Sequence, residues 1–298
     1  MFSAIALNYP ITLATSMLYV LLAAASCGVT VTTRAVAHSK LRMQINSWWL
    51  IFPLVTVSLL LGPPGALLLF MLIGALTVRE LAFHLANEKT RFRLAGAAAL
   101  SVAAALSWYA PALALSVLAL LVSGQLASFI ARKSVARLLP LLLLATCLGT
   151  SCVIQLARMP LPPEKTVAWL FYLFVLTALN DIGQFVAGTV FGRGKIAVRI
   201  SPNKTWQGLA GGVFVSALLS LALGSWLQLA APAWLLLVAL MLAVGGFCGD
   251  LMFSAAKRYL GIKDFSNLIP GHGGILDRVD SLVLTAPLLY FAIRLTPP

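Results

Sequence analysis

The sequence predicts an all-α polytopic integral membrane protein of about ten transmembrane helices, and three observations carry that prediction. Of 298 residues, 61% are hydrophobic and only 10% charged, with a mean hydropathy of +0.98. Soluble domains do not have that balance. Apolar runs recur from residue 11 to the C-terminal end, and none shows the short alternating pattern of a barrel strand. The basic residues, which give a net charge of +13, are spread over short segments between the runs. That placement orients a membrane protein, can attract anionic lipid heads, and argues against nucleic acid as a partner.

The first run, 11–33, is too long for the core of a signal peptide and no basic residue precedes it, so it reads as a retained span. Runs 48–61 and 66–78 flank "GPPG" at 62–65. Two prolines between glycines end a helix and reverse the chain, which predicts a hairpin and not one kinked span. Runs 94–108 and 112–130 are joined by the uncharged turn "SWYAP". Runs 138–157 and 167–190 follow, then 207–224 and 233–256 around the uncharged "GSWLQLAAPAW", and finally 281–293. Runs shorter than the roughly 20 residues of a span are expected to extend into their flanking turns. Cys27, Cys147, Cys152 and Cys248 all lie in apolar runs without a metal or redox spacing, and read as small buried side chains.

With both termini placed outside, every Lys and Arg except Arg158, Lys165 and Arg294 falls on the inner side. This positive-inside bias predicts a cytoplasmic face for the charged loops, in the bacterial inner (cytoplasmic) membrane. The eight acidic residues are more selective: all five aspartates come after residue 180. Asp181 and Asp250 lie in or at the inner ends of apolar runs, where a carboxylate costs about 2.5–3.5 kcal/mol and must face a cavity or a counter-charge. Composition thus divides the chain into scaffold helices, 1–165, and a C-terminal catalytic region, 166–298.

Three polar blocks share the inner face. In "GDLMFSAAKR", Asp250, Ser254, Lys257 and Arg258 form one helical stripe. A carboxylate below a hydroxyl, with two cations at the water boundary, suits a phosphorylated ligand and its metal; the cations alone would equally suit snorkelling at a span end. In "SPNKTWQG", Ser201, Lys204 and Thr205 precede a helix N-terminus, which favours phosphate or, more plainly, a helix cap. Gly208, Gly211 and Gly212 allow close approach of another helix or a ligand. Upstream, Asp181, Gln184 and Gly188 share a helix face turned to a cavity or to another helix.

The third block is "SNLIPGHGGILDRVDS" with its lead-in "GIKD". Its "PGHGG" is expected to be irregular backbone whose Gly271, Gly273 and Gly274 can turn N–H groups onto an anion, with His272 there to orient or protonate a phosphate oxygen or to serve the turn. Asp277 and Asp280, one turn apart around Arg278, suit helix capping or, with Asp250, an oxygen-rich Mg2+ site.

The stretch "SAAKRYLGIKDFSNLIPGHGGILDRVDS", 254–281, resembles the signature of the phosphatidate cytidylyltransferases (CDP-diacylglycerol synthases): S-x-x-K-R, then K-D, then P-G-H-G-G-[apolar]-x-D-R-x-D. Ser254, Lys257, Arg258, Lys263, Asp264, His272, Asp277, Arg278 and Asp280 supply every polar element of it. "FGRGK…ISPNKTWQG" and the Gly249–Asp250 pair also look like the family's upstream blocks. Two features depart from the family pattern: Asp181, Ile182, Gly183, Gln184, Phe185 stand where D-x-G-A-Y is usual, and the first run is additional. They bear on lipid preference more than on the reaction.

The resemblance implies that CTP and phosphatidate give CDP-diacylglycerol and pyrophosphate with Mg2+ as cofactor. It implies Asp250 and Asp277 as leading metal ligands, with Asp181 and Asp280 behind them. Lys257, Arg258, His272 and Arg278 would then act on the reacting phosphates, and Ser201, Lys204, Lys263, Gly273 and Gly274 would hold the nucleotide. Association with further copies of the chain is compatible with this scheme. Two rival readings are a CTP-dependent lipid kinase, which would release CDP, and a transporter or inactive homologue with intramembrane carboxylates. The chain has no internal repeat, and its acids concentrate at one end of the last spans, unlike a transporter's.

Overall fold

A computed structural model describes residues 9–32, 40–85, 87–271 and 273–295. The elements in order are α1 (Tyr9–Thr32), α2 (Lys40–Leu61), α3 (Pro63–Phe83), α4 (Lys89–Tyr109), α5 (Pro111–Arg132), α6 (Val135–Ala157), α7 (Pro163–Phe191), β1 (Lys195–Ala197), β2 (Ser201–Thr205), α8 (Trp206–Trp226), α9 (Pro232–Tyr259), α10 (Leu276–Val279) and α11 (Leu282–Leu295). Among the described residues, α1 to α9 are long and apolar enough to cross a membrane. The protein is therefore an integral membrane protein of all-α class. The tenth predicted run is α11, whose 14 residues span about 21 Å, short of the roughly 30 Å hydrocarbon core.

Helix boundaries follow local chemistry. Helices α3, α5, α7 and α9 begin at proline, where the missing N–H costs nothing and φ is already helical. The GPPG turn is a hairpin as predicted: Gly62 adopts φ 60, which a side chain would oppose, and α3 packs back on α2. The short predicted runs at 48–61 and 66–78 lengthen to 22 and 21 residues.

Helix α6 lies at the centre, packed by α3, α4, α5, α7 and α11. Its buried hydroxyls are satisfied locally: Thr146 and Thr150 donate to Leu142 O and Thr146 O, and Ser107 pairs with Ser151 at 2.9 Å. Helices α7 and α8 form the tightest pair, because α8 meets α7 through glycines. A Cβ on Gly211 would lie 2.1 Å from Ala187 Cβ, and one on Gly212 2.4 Å from Gln184 Cγ. The expectation of buried cysteines holds for Cys147 and Cys152 but not for Cys27 and Cys248, which are exposed on helix flanks.

The α7–α8 connection holds two short strands, β1 and β2, that the sequence did not predict. It forms an antiparallel hairpin pairing Lys195 with Thr205 and Ala197 with Ser201. Lys195 Nζ donates to Pro202 O at 2.7 Å, and Gln207 Oε1 accepts from the backbone of Arg193 and Gly194. Thr205 then caps α8, its side chain accepting from Gly208 N at 3.0 Å.

One end of the bundle collects the predicted inner segments. Ser47, two turns into α2, donates to Pro270 O at 2.6 Å, and His84 after α3 contacts Phe265 O at 3.1 Å. Arg258 near the end of α9 donates to Ile200 O at 3.0 Å, and Tyr259 Oη to Lys133 O in the α5–α6 turn. At the opposite end Arg158 bonds Ser107 O and Trp108 O and lies over the Trp108 ring. The helices around the site are long: α7 has 29 residues and α9 has 28. At 1.5 Å per residue each spans about 42 Å, roughly 12 Å more than the hydrocarbon core.

Candidate active site

The site is built where α7, α8, α9, the β hairpin and the 260–281 segment meet. Lys204, on β2, sits at the junction. Its Nζ lies 2.5 Å from Asp250 Oδ2, donates to Gln184 Oε1 at 3.3 Å, and stands over the Phe247 ring. Asp250 in turn accepts from Ser254 Oγ, one turn along α9, at 3.1 Å. Asp250 and Ser254 of the predicted stripe thus touch on α9, and the strand supplies a counter-charge to Asp250. Gln184 is buried; one end of its amide holds Lys204 and its Nε2 has no partner among the described residues.

One turn further along α9, Lys257 Nζ lies 2.6 Å from Asp277 Oδ1, with the two side chains 11% and 3% exposed. Asp277 Oδ2 accepts from Phe265 N at 3.0 Å and Gly274 N at 2.9 Å. Three donors therefore converge on this carboxylate, and they tie the 260–275 segment to α9. Gly273 takes φ 86 and pairs with Ile269 in an isolated bridge, as a reversal that only glycine accommodates easily.

A second buried carboxylate, Glu80 of α3, holds the same segment from the other side. Its Oε1 accepts from Ser266 Oγ at 2.6 Å and Ile275 N at 2.7 Å, and its Oε2 from Leu276 N at 3.1 Å. Gly274 lies so close that an added Cβ would stand 2.5 Å from Glu80 Oε1. Sequence reasoning passed over Glu80 and treated α3 as scaffold. The available signal was a lone carboxylate ending an apolar run, the same signal read at Asp250.

Asp181 of α7 and Asp280 meet through Ser281, whose Oγ donates to Asp181 Oδ1 at 3.2 Å and whose N–H donates to Asp280 Oδ1 at 2.8 Å. Burial, and then the nearby Asp250 and Asp181 carboxylates, push the Asp280 carboxyl well above the usual range; Lys257 and Arg278 oppose this only in part. Asp181, Asp250 and Asp280 therefore form one region rich in negative charge and oxygen donors. Among the described residues, no three His, Cys, Asp or Glu side chains converge as a ready metal cage.

Lys204 with Asp250, Lys257 with Asp277, and Asp181 with Asp280 through Ser281 make three contact sets, which α9 and the electrostatic influence on Asp280 place in one region. Arg258 is engaged with Ile200 O and Ile262 O, joining the hairpin to the end of α9. Arg278 and Lys263 are exposed. Ser201 opens β2, three residues from Lys204, and Gly273 and Gly274 lie in the segment held by Asp277 and Glu80. His272 lies outside the described residues.

Fold and site together define an integral membrane protein that gathers carboxylates and lysines at one end of an apolar helix bundle. The chain belongs to the cytidylyltransferase family, which it matches over residues 42–296. The match opens in the first turn of α2, so α1 precedes it. The chain is 46% identical over 123 residues to "Uncharacterized protein YnbB" of Escherichia coli (strain K12), covering 41% of each protein. It is 42% identical over 130 residues to phosphatidate cytidylyltransferase of Bacillus subtilis (strain 168), covering 43% of this chain and 48% of that one. It is also 42% identical over 122 residues to the enzyme of the same name from Staphylococcus aureus (strain COL), covering 41% and 47%. The aligned stretch spans under half the length of each of these relatives.

Proposed function

We propose that the protein transfers the cytidylyl group of CTP to phosphatidate, giving CDP-diacylglycerol and pyrophosphate, in phospholipid synthesis at the bacterial inner membrane. The observation that carries this reading is the junction of Lys204, Asp250, Lys257 and Asp277 beside Asp181 and Asp280 at one end of the bundle. It is supported by the names of the Bacillus and Staphylococcus relatives. The positive-inside bias supports a cytoplasmic face for this end, open to CTP.

In the reaction, an oxygen of the phosphatidate phosphate attacks the α-phosphorus of CTP. The bond from that phosphorus to the oxygen bridging to the β-phosphorus breaks, and the electron pair leaves with pyrophosphate. No dedicated base is required, because a phosphate monoester is already largely ionised at pH 7. Two polyanions must meet, so cations and positioning carry the catalysis. Lys204 would exchange its carboxylate partner for phosphate oxygens, and Lys257, held by Asp277, would turn its remaining N–H donors to them. Arg258, Arg278 and Lys263 would serve phosphates from the exposed side, and Ser201, Gly273 and Gly274 would line the nucleotide. His272 would tune the ionisation of a phosphate oxygen. Asp277, with three donors already on its oxygens, would act by fixing Lys257 and the 260–275 segment.

The chemistry of the other three carboxylates suits a hard divalent cation that would draw them together: they offer oxygen donors, and Asp280 is raised by burial and then by the neighbouring Asp250 and Asp181 carboxylates. Asp181, Asp250 and Asp280 would hold Mg2+, which would polarise the phosphoryl oxygens and offset charge on the departing pyrophosphate. The test is product identity. Detergent-purified protein with phosphatidate and Mg2+ should move label from α-labelled CTP into lipid and release β,γ-label as pyrophosphate. Transfer of γ-label to lipid without cytidine would refute the reading.

A further inference from the structure

The α5–α6 pair carries an open, largely apolar cavity, with three polar side chains in its lining, that the reaction does not use. It has a volume of about 230 Å³ and is lined by Leu120, Leu121, Gly124, Gln125, Ser128 and Arg137. Three features are unusual on a membrane-facing surface. Gln125 Oε1 is buried and has no hydrogen-bond partner among the described residues. The Arg137 side chain forms no ion pair or hydrogen bond among the described residues, and no carboxylate lines the cavity. A Cβ added at Gly124 would meet nothing within 4 Å, so the backbone there stands open. Leu120 and Leu121, 74% and 46% exposed, carry an apolar surface out of the cavity.

We propose that this cavity is a lateral binding site for an anionic glycerophospholipid of the bilayer, separate from the catalytic site and independent of the reaction assigned above. Arg137 takes the lipid phosphate through its planar fork, with the Ser128 hydroxyl beside it. The Gln125 amide meets the ester region; it is free to turn either its oxygen or its N–H2 group to the ligand. The acyl chains run along Leu120 and Leu121. The volume fits such a ligand. It is smaller than the roughly 300–1,000 Å³ of pockets that enclose a whole drug-sized molecule, so it takes a headgroup and leaves the chains in the bilayer. Charge favours an anionic lipid, since Arg137 lines the cavity and no carboxylate does. The α5–α6 turn touches α9 through Tyr259 and Lys133, so an occupant would sit beside the helix that carries Asp250 and Lys257.

The probe is phosphatidylglycerol, titrated into delipidated, detergent-purified full-length protein and read by native mass spectrometry, with phosphatidylcholine as the neutral control. Arg137→Ala should weaken phosphatidylglycerol binding about five-fold, the effect of one basic side chain near an anionic lipid. Gln125→Leu should weaken it also, while Arg132→Ala, outside the cavity lining, stays within about two-fold of wild type. Equal losses for Arg137→Ala and Arg132→Ala would overturn the site in favour of diffuse attraction to basic residues. Indifference of both cavity variants to lipid would overturn it as well, and so would a second copy of the chain in place of lipid. Should Arg137→Ala fail to fold, Gln125→Leu carries the test alone.

Discussion

Removing the charge of Asp277 should unfold the site before it affects any ligand. Asp277 is 3% exposed in its side chain, and its oxygens accept from Lys257 Nζ, Phe265 N and Gly274 N. In Asp277→Asn, one of the two terminal atoms becomes an N–H2 group facing donors. Either Lys257 loses its partner or two backbone N–H groups do. Breaking one side of a buried pair costs about 3–5 kcal/mol, because the remaining charge stays desolvated. Lys257→Met should fall toward the lower end of that range, since Asp277 then keeps two backbone donors. Replacing both residues removes the orphaned charge, so the double variant should be more stable than the sum of single losses by about 1.5 kcal/mol or more. The assay is unfolding of the detergent-purified protein for wild type, both single variants and the double variant. Additivity within about 0.5 kcal/mol would refute the reasoning, because independent sites add to that accuracy.

Glu80→Gln keeps the shape but sets an N–H2 group against Ser266, Ile275 and Leu276; a loss of about 1.5–3 kcal/mol is expected, seen as faster amide exchange at 264–276 with α4 and α5 unchanged. Gly212→Leu should separate α7 from α8, since even a Cβ meets Gln184 Cγ at 2.4 Å; the overpacking costs about 1–3 kcal/mol or more and is read as a lower unfolding temperature. Mg2+ at 100 times its dissociation constant should stabilise the wild type by about 2.7 kcal/mol, and Asp250→Asn should lose most of that gain in the same unfolding assay.

Much of this was legible in the sequence because a bilayer leaves few options. Apolar runs fix the helices, proline marks four of their starts, and the GPPG hairpin follows from backbone chemistry alone. The Asp250, Ser254, Lys257, Arg258 stripe follows from helical spacing. Partners were not legible, because they come from other elements. That Lys204 reaches Asp250 depends on a strand hairpin whose short, mixed sequence gives no clear strand period. That Lys257 takes Asp277 depends on the path of an irregular segment. Glu80 was missed because the aspartates, all after residue 180, drew the site to the second half of the chain, yet a single carboxylate in the first half organises Ser266 and the start of α10. The exposed Cys248 shows the same limit: membership of an apolar run does not say which side of a helix faces lipid.

The most direct measurement of the central claim is cytidylyl transfer by Asp250→Asn, with unfolding temperature and β,γ-label release recorded on the same preparation. Asp250 touches Lys204 and Ser254 and is one of the three carboxylates assigned to the cation. A folded Asp250→Asn that forms cytidine-labelled lipid at least about a hundred-fold more slowly is the predicted result. Transfer at the wild-type rate would contradict the account, as would a wild-type protein that releases no pyrophosphate.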